Sequence, residues 1–159
     1  MREVACSPPP WAVPPNASSP WTVQVVKPSY IVRCVPDYKI PSLSNTGRPV
    51  LGTSFDIDLS DALPVTFAVL AQGLSDQVSA SGPLPLPLPG APGCDLLVSP
   101  DATDFAITDA NGAADWTITV PNSSALEGAE IFYQWVVLDA QANSIGLVTS
   151  NGGRALLGQ

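Results

Sequence analysis

Ile131-Phe132-Tyr133-Gln134-Trp135-Val136-Val137-Leu138-Asp139 is an unbroken apolar and aromatic run that ends on a carboxylate. Its β-branched and aromatic content predicts a strand, with Tyr133, Trp135 and Val137 on one face by the period of two. That shared face assigns the two aromatic rings to a core rather than to a ligand platform. The run closes a passage, Gly93 to Gly146, in which apolar and polar segments alternate between turn residues. Further strands are expected at Cys94 to Val98, Phe105 to Thr108, Asp115 to Val120 and Ile145 to Thr149, with Arg154 to Leu157 closing the sheet. Asn111-Gly112, ahead of Trp116-Thr117-Ile118-Thr119-Val120, carries the dipeptide of a tight hairpin. Trp116 shares its face with Ile118 and Val120 and is expected in the core.

Working toward the N-terminus, Phe55-Asp56-Ile57-Asp58-Leu59 alternates perfectly, and Val65 to Leu70 reads as a more buried strand. Pro83-Leu84-Pro85-Leu86-Pro87-Leu88-Pro89 lacks every second amide hydrogen, so it is either a polyproline ribbon or a sheet-edge strand, leucines on one side and prolines on the other. A PxxP-type ligand is the sharper reading of this stretch; an edge blocked against aggregation is the simpler one. Only Pro121 to Gly128 leans toward helix, for a turn or two. Short strands at this spacing predict an all-β fold, an antiparallel β-sandwich of Ig-like or jelly-roll type.

The first third of the chain is punctuated by proline: Pro8-Pro9-Pro10, Pro14-Pro15, Pro20, Pro28, Pro36 and Pro41. Such density forbids helix and favours extended backbone, so residues 1–30 are read as a proline- and tryptophan-rich arm and residues 31–159 as the sandwich domain. Trp21 to Val26 and Tyr30 to Arg33 have strand-like patterns, whose partner the sequence does not name. Trp11, Val13, Trp21, Val23 and Val25 supply apolar groups for subunit contact, with Thr22 to Val26 able to add to a sheet edge. The competing reading is a disordered tail.

Composition removes several functional classes. The 159 residues fit one domain, and charged residues are only 13 % of them. Six basic residues face 14 acidic ones, a net charge of −8 that repels phosphate backbones and anionic membrane surfaces. Histidine is absent, which eliminates serine–histidine catalysis and histidine-based metal sites. No segment approaches the roughly 20 apolar residues of a membrane-spanning helix. Met1 to Cys6 has no apolar leader core, so delivery outside the cell is expected through a leader already removed or through release by lysis. No pair of carboxylates is singled out for glycoside hydrolysis, and no enzyme activity and no cofactor are expected.

Cys6, Cys34 and Cys94 lack zinc-ligand spacing. A Cys34–Cys94 disulfide is favoured, each cysteine standing at the mouth of an expected strand, and the closed loop of about 60 residues would be worth on the order of 4 kcal/mol. Three reduced cysteines are the alternative. Cys6 is then free or pairs between subunits. Asp56, Asp58 and Asp61 are candidate Ca²⁺ ligands on one exposed strand face, although they lack the glycine turn and terminal glutamate of an EF-hand loop. Asp109, Asn111 and Asp115 invite the same thought, but turn chemistry already explains two of them. Asn16-Ala17-Ser18 and Asn122-Ser123-Ser124 fit the N-glycosylation triplet.

An ordered series of motifs gives a family resemblance over roughly residues 34 to 159. Arg48 to Phe55, Ala62-Leu63-Pro64, Gly93 to Asp101, Thr108 to Gly112, Ile118 to Asn122, Tyr133-Gln134-Trp135, Leu138-Asp139 and Thr149-Ser150-Asn151 are similar to a β-rich module near the C-termini of secreted proteins from planctomycete-type bacteria. The resemblance implies an extracellular accessory or surface module without catalytic residues. An early cysteine before its first strand adds support to the Cys34–Cys94 pairing. The Trp-Pro arm and the lack of a large upstream region depart from that module, which favours a building block over an appendage.

The expected function is therefore a non-enzymatic structural subunit of an extracellular assembly, a filament, surface layer or virion component, that forms homo-oligomers or polymers through its arm. The alternative is a carbohydrate-binding or adhesive module that acts as a monomer, with Trp11, Trp21 and Tyr30 as the aromatics free to meet a glycan.

Overall fold

The computed structural model describes residues 40–158 and the backbone of Gln24–Lys27. Among the described residues every regular element is a strand except one 3-10 turn, Ser124–Leu126, where the sequence leaned toward helix. The strands are β1 (Gln24–Lys27), β2 (Ser42–Thr46), β3 (Ser54–Ser60), β4 (Phe67–Gly73), β5 (Val78–Ser79), β6 (Gly82–Pro83), β7 (Leu86–Pro87), β8 (Asp95–Leu96), β9 (Ala102–Ile107), β10 (Ala114–Thr119), β11 (Glu130–Leu138) and β12 (Leu147–Leu156). A five-stranded sheet runs β1-β12-β11-β4-β9 and a three-stranded sheet runs β10-β3-β2. All these pairs are antiparallel. The fold is all-β with antiparallel sheets, as the alternating sequence requires.

One core joins the two sheets. Leu43, Phe55, Ile57 and Leu59 from the smaller sheet are buried with Ala68, Leu70, Tyr133, Trp135, Val137 and Ala155 from the larger. The rings of Phe55 and Tyr133 meet edge to face, centroids 6.3 Å apart, an arrangement that suits the quadrupoles of both. Tyr133, Trp135 and Val137 have no exposed surface, in line with the alternation of the β11 sequence. Trp116 and Ile118 pack against the same core, partly buried. Asn151 ties the sheets together at an edge: the Leu43 amide donates to its Oδ1 at 2.8 Å, and its Nδ2 donates to the Leu43 carbonyl at 3.1 Å, in the manner of a strand neighbour.

Two local readings are revised. Asn111-Gly112 does not join a hairpin, because β9 pairs with β4 and β10 with β3 in the other sheet. The turn is a corner between sheets. Asp109 Oδ1 accepts the amides of Asn111 and Ala113, each at 2.8 Å, and Gly112 adopts φ +80° against the Ala62 carbonyl. Second, the two expected segments Ile145 to Thr149 and Arg154 to Leu157 are one strand, β12, continuous through Gly152 and Gly153. A Cβ placed on Gly152 would meet the Leu97 side chain at an ordinary 3.5 Å, so a residue type that reads as a break runs through the strand without a break.

The Pro-Leu repeat keeps its expected polarity: Leu84 is buried, Leu86 and Leu88 are partly buried, and Pro83, Pro85, Pro87 and Pro89 are exposed. Its Leu86–Pro87 piece pairs with Asp95–Leu96 alone. β1 falls inside the stretch assigned to the arm, and its backbone pairs with β12 of its own chain, Gln24 opposite Arg154 and Val25 opposite Gly153.

Candidate functional site

Each strand of the five-stranded sheet has a second face, turned away from the shared core, and the two halves of that face differ. Over the half nearest Gly73 and Phe132 lies the segment that follows β8. Leu97 and Val98 are buried against Ala71 and Phe132. Gln134 holds the segment there: its Oε1 accepts the Leu97 amide at 2.9 Å, and its Nε2 donates to the carbonyls of Asp95 at 2.9 Å and Ser150 at 3.0 Å. Three hydrogen bonds satisfy a side chain that has no exposed surface. Asp101 braces the same segment, accepting the Leu74 amide and the Ser99 hydroxyl, and these two donors hold its carboxyl below the usual carboxylate range.

Beyond Gln134 no described residue covers the face. The register sets Val69 opposite both Phe105 and Val136, Phe67 opposite Ile107, and Leu138 opposite Leu147. Phe67, Phe105, Ile107 and Leu138 are 59 %, 68 %, 63 % and 44 % exposed. Phe67, Val69, Phe105, Val136, Leu138 and Leu147 line a shallow depression of about 360 Å³. No charged or polar side chain is among its walls. β9 is also the last strand of its sheet, so the patch runs to a sheet edge. Sequence reasoning took Val65 to Leu70 as a more buried strand and missed this surface. The alternation of Phe67 and Val69 with Ala68 and Leu70 marks two faces, but it does not say that one of them is left without cover.

A second depression, about 390 Å³, opens between the sheets and is lined by Asp58, Leu59, Ala106, Ile107, Asp109, Ala113, Ala114 and Asp115. Asp58 and Asp115 stand directly across from one another. The Ca²⁺ candidates are engaged within the protein: Asp56 accepts from the Thr117 hydroxyl at 2.6 Å, Asp58 from that of Thr46 at 2.9 Å, and Asp61 sits after β3 with φ 55°. Among the described residues no three His, Cys, Asp or Glu side chains are grouped to hold a metal ion. Asp109 is committed to its own turn, whose amides, Ala113 first, hold its carboxyl low.

Cys94 shows no part of the expected Cys34–Cys94 disulfide, whose other cysteine lies outside the described residues. It is a free thiol, buried, directed at the Leu147 carbonyl at 3.7 Å, and burial pushes its pKa up. Cys94 stands among apolar neighbours, Ala91, Ala142 and Val148, and packs as a small core residue. Cys34 and Cys6 lie outside the described residues, as do the contact candidates Trp11, Val13, Trp21 and Val23 and the glycan candidate Tyr30. Val25 is described through its β1 backbone alone. No helix among the described residues is long and apolar enough to cross a membrane. Comparison with family models, with curated proteins and with solved structures finds no match for the chain.

Proposed function

We propose that this chain is a non-enzymatic structural subunit, an antiparallel β-sandwich that assembles with copies of itself outside the cytoplasm as a filament, surface layer or virion component. Two sheets that share one core support the sandwich reading. The observation that carries the functional reading is the bare apolar half-face of the five-stranded sheet. Its four most exposed side chains, 44–68 % accessible, leave on the order of 400 Å² of apolar area in water, given about 150–250 Å² for a large aromatic residue. An area of this order is at the size of the largest patches on soluble monomers, which are often functional. Covering it would return about 10 kcal/mol before the costs of association, at about 25 cal/mol per Å². The residues that line the depression carry no nucleophile, acid or base, which suits contact rather than chemistry.

Native mass spectrometry combined with negative-stain microscopy tests the reading. Discrete oligomers or polymers are expected. A clean monomer at high concentration would overturn it.

A further inference from the structure

We infer that the bare half-face built by Phe67, Val69, Phe105, Val136, Leu138 and Leu147 is the acceptor for the N-terminal segment, residues 1–23, of a neighbouring copy. The inference rests on the assembly reading above and names the surface and the occupant it would use.

Chemistry matches the two. From Val4 to Val23 the segment has no charged residue, and it offers Trp11, Val13, Trp21 and Val23 among six prolines. The depression likewise has no charged wall. Pro8-Pro9-Pro10 and Pro14-Pro15 have no amide hydrogen to leave unpaired, so only their carbonyls carry a desolvation cost on entering an apolar groove, less than an ordinary backbone pays. Proline-rich peptides dock into grooves walled by aromatic rings because their extended form is already restricted before binding. Phe67 and Phe105 are such rings, both more than half exposed.

Geometry favours a neighbour as the source. The described chain begins at Gln24, which pairs with Arg154; Arg154 pairs with Phe132, and Phe132 with Gly73. This is the end of the sheet whose second face Leu97 and Val98 already cover. β1 stops at Lys27, opposite Gly152, before the sheet reaches Leu138 and Leu147. Residues 1–23 thus enter at the end of the sheet remote from the bare half of their own copy.

The test uses the full chain. Phe105 is replaced by the photo-crosslinking analogue p-benzoylphenylalanine, unlabelled and ¹⁵N-labelled chains are mixed, and irradiated products are mapped by mass spectrometry. Crosslinks of mixed isotope from position 105 to peptides within residues 8–23 are the expected result. Same-isotope crosslinks alone would show an arm on its own domain, and mixed-isotope crosslinks into residues 40–158 would show a face-to-face contact. Either overturns the inference while leaving self-assembly in place, as does an assembled protein without crosslinks at this position. A protein that is monomeric by native mass spectrometry removes both. In parallel, Phe105→Asp and Ile107→Asp, at exposed positions, should raise the concentration for half-assembly roughly tenfold or more with an unchanged melting curve. Leu74→Asp, exposed at the covered end, should leave it unchanged. Equal effects of all three, or none, refute the assignment.

Discussion

Gln134 and Tyr133 are adjacent on β11, face opposite ways, and have no exposed surface, yet they make opposite predictions. The Gln134 carboxamide uses two of its hydrogen bonds to pin residues 95–97 to the sheet and a third to hold the Ser150 carbonyl of β12. Gln134→Ala strands the buried Leu97 amide and should cost about 3 kcal/mol in urea unfolding, since an unsatisfied buried group loses more than the bond was worth. A loss under roughly 1 kcal/mol would mean that the segment is held by Leu97 and Val98 alone. The Tyr133 hydroxyl is buried and has no hydrogen-bond partner among the described residues. Tyr133→Phe should therefore leave stability at pH 7 unchanged or raise it by up to about 1 kcal/mol. Burial also raises the Tyr133 pKa above the ordinary 10.0. The native phenol holds its proton more firmly than the unfolded one, so the stability linked to it is complete below pH 10 and falls as the unfolded chain ionises above it. Denaturation series from pH 9 to 11 should show the variant losing a slope of about 1.4 kcal/mol per pH unit above pH 10. An identical alkaline slope in both proteins would assign the loss to other groups.

Strand faces were legible in the sequence wherever alternation was strict. Phe55, Ile57 and Leu59 point inward and Trp116 and Ile118 pack on the same core, as their spacing requires. What local pattern could not give was the partner of each strand. Thr108 to Ala113 is short enough for a hairpin, and only the pairing of β9 with β4 and of β10 with β3 makes it a corner. The same limit hid the candidate surface, since Val69 next to Leu70 reads as burial on both sides until tertiary packing leaves Phe67 and Phe105 uncovered. Glycine gives the sharpest test at this scale. A Cβ on Gly73, at the end of β4, would lie 1.8 Å from the Ser99 carbonyl oxygen. Backbone must move, and Gly73→Ala should cost roughly 3 kcal/mol or more, as severe overpacking does. Limited proteolysis should then cut within residues 74–99 first. Unchanged stability and cleavage would show that this segment is not seated on β4.

Over the whole molecule, charge and apolar surface oppose each other. Fourteen acidic residues against six basic ones give each copy −8, and Arg48 and Arg154 are the basic residues of the stretch 40–158, Arg154 meeting Glu130 at 3.2 Å. Copies drawn together through an uncharged groove must overcome mutual repulsion that acts over a Debye length of about 10 Å at about 0.1 M salt. Screening should therefore promote the proposed assembly. Raising sodium chloride from about 0.02 M to about 0.3 M cuts that length to roughly a quarter and should lower the concentration for half-assembly, and sulfate should lower it further by strengthening apolar burial. An interface built on ion pairs gives the reverse sign, because salt weakens the attraction that holds it. Light scattering across such a salt series separates the two, and assembly that dissolves as chloride rises would exclude the apolar half-face as its principal contact.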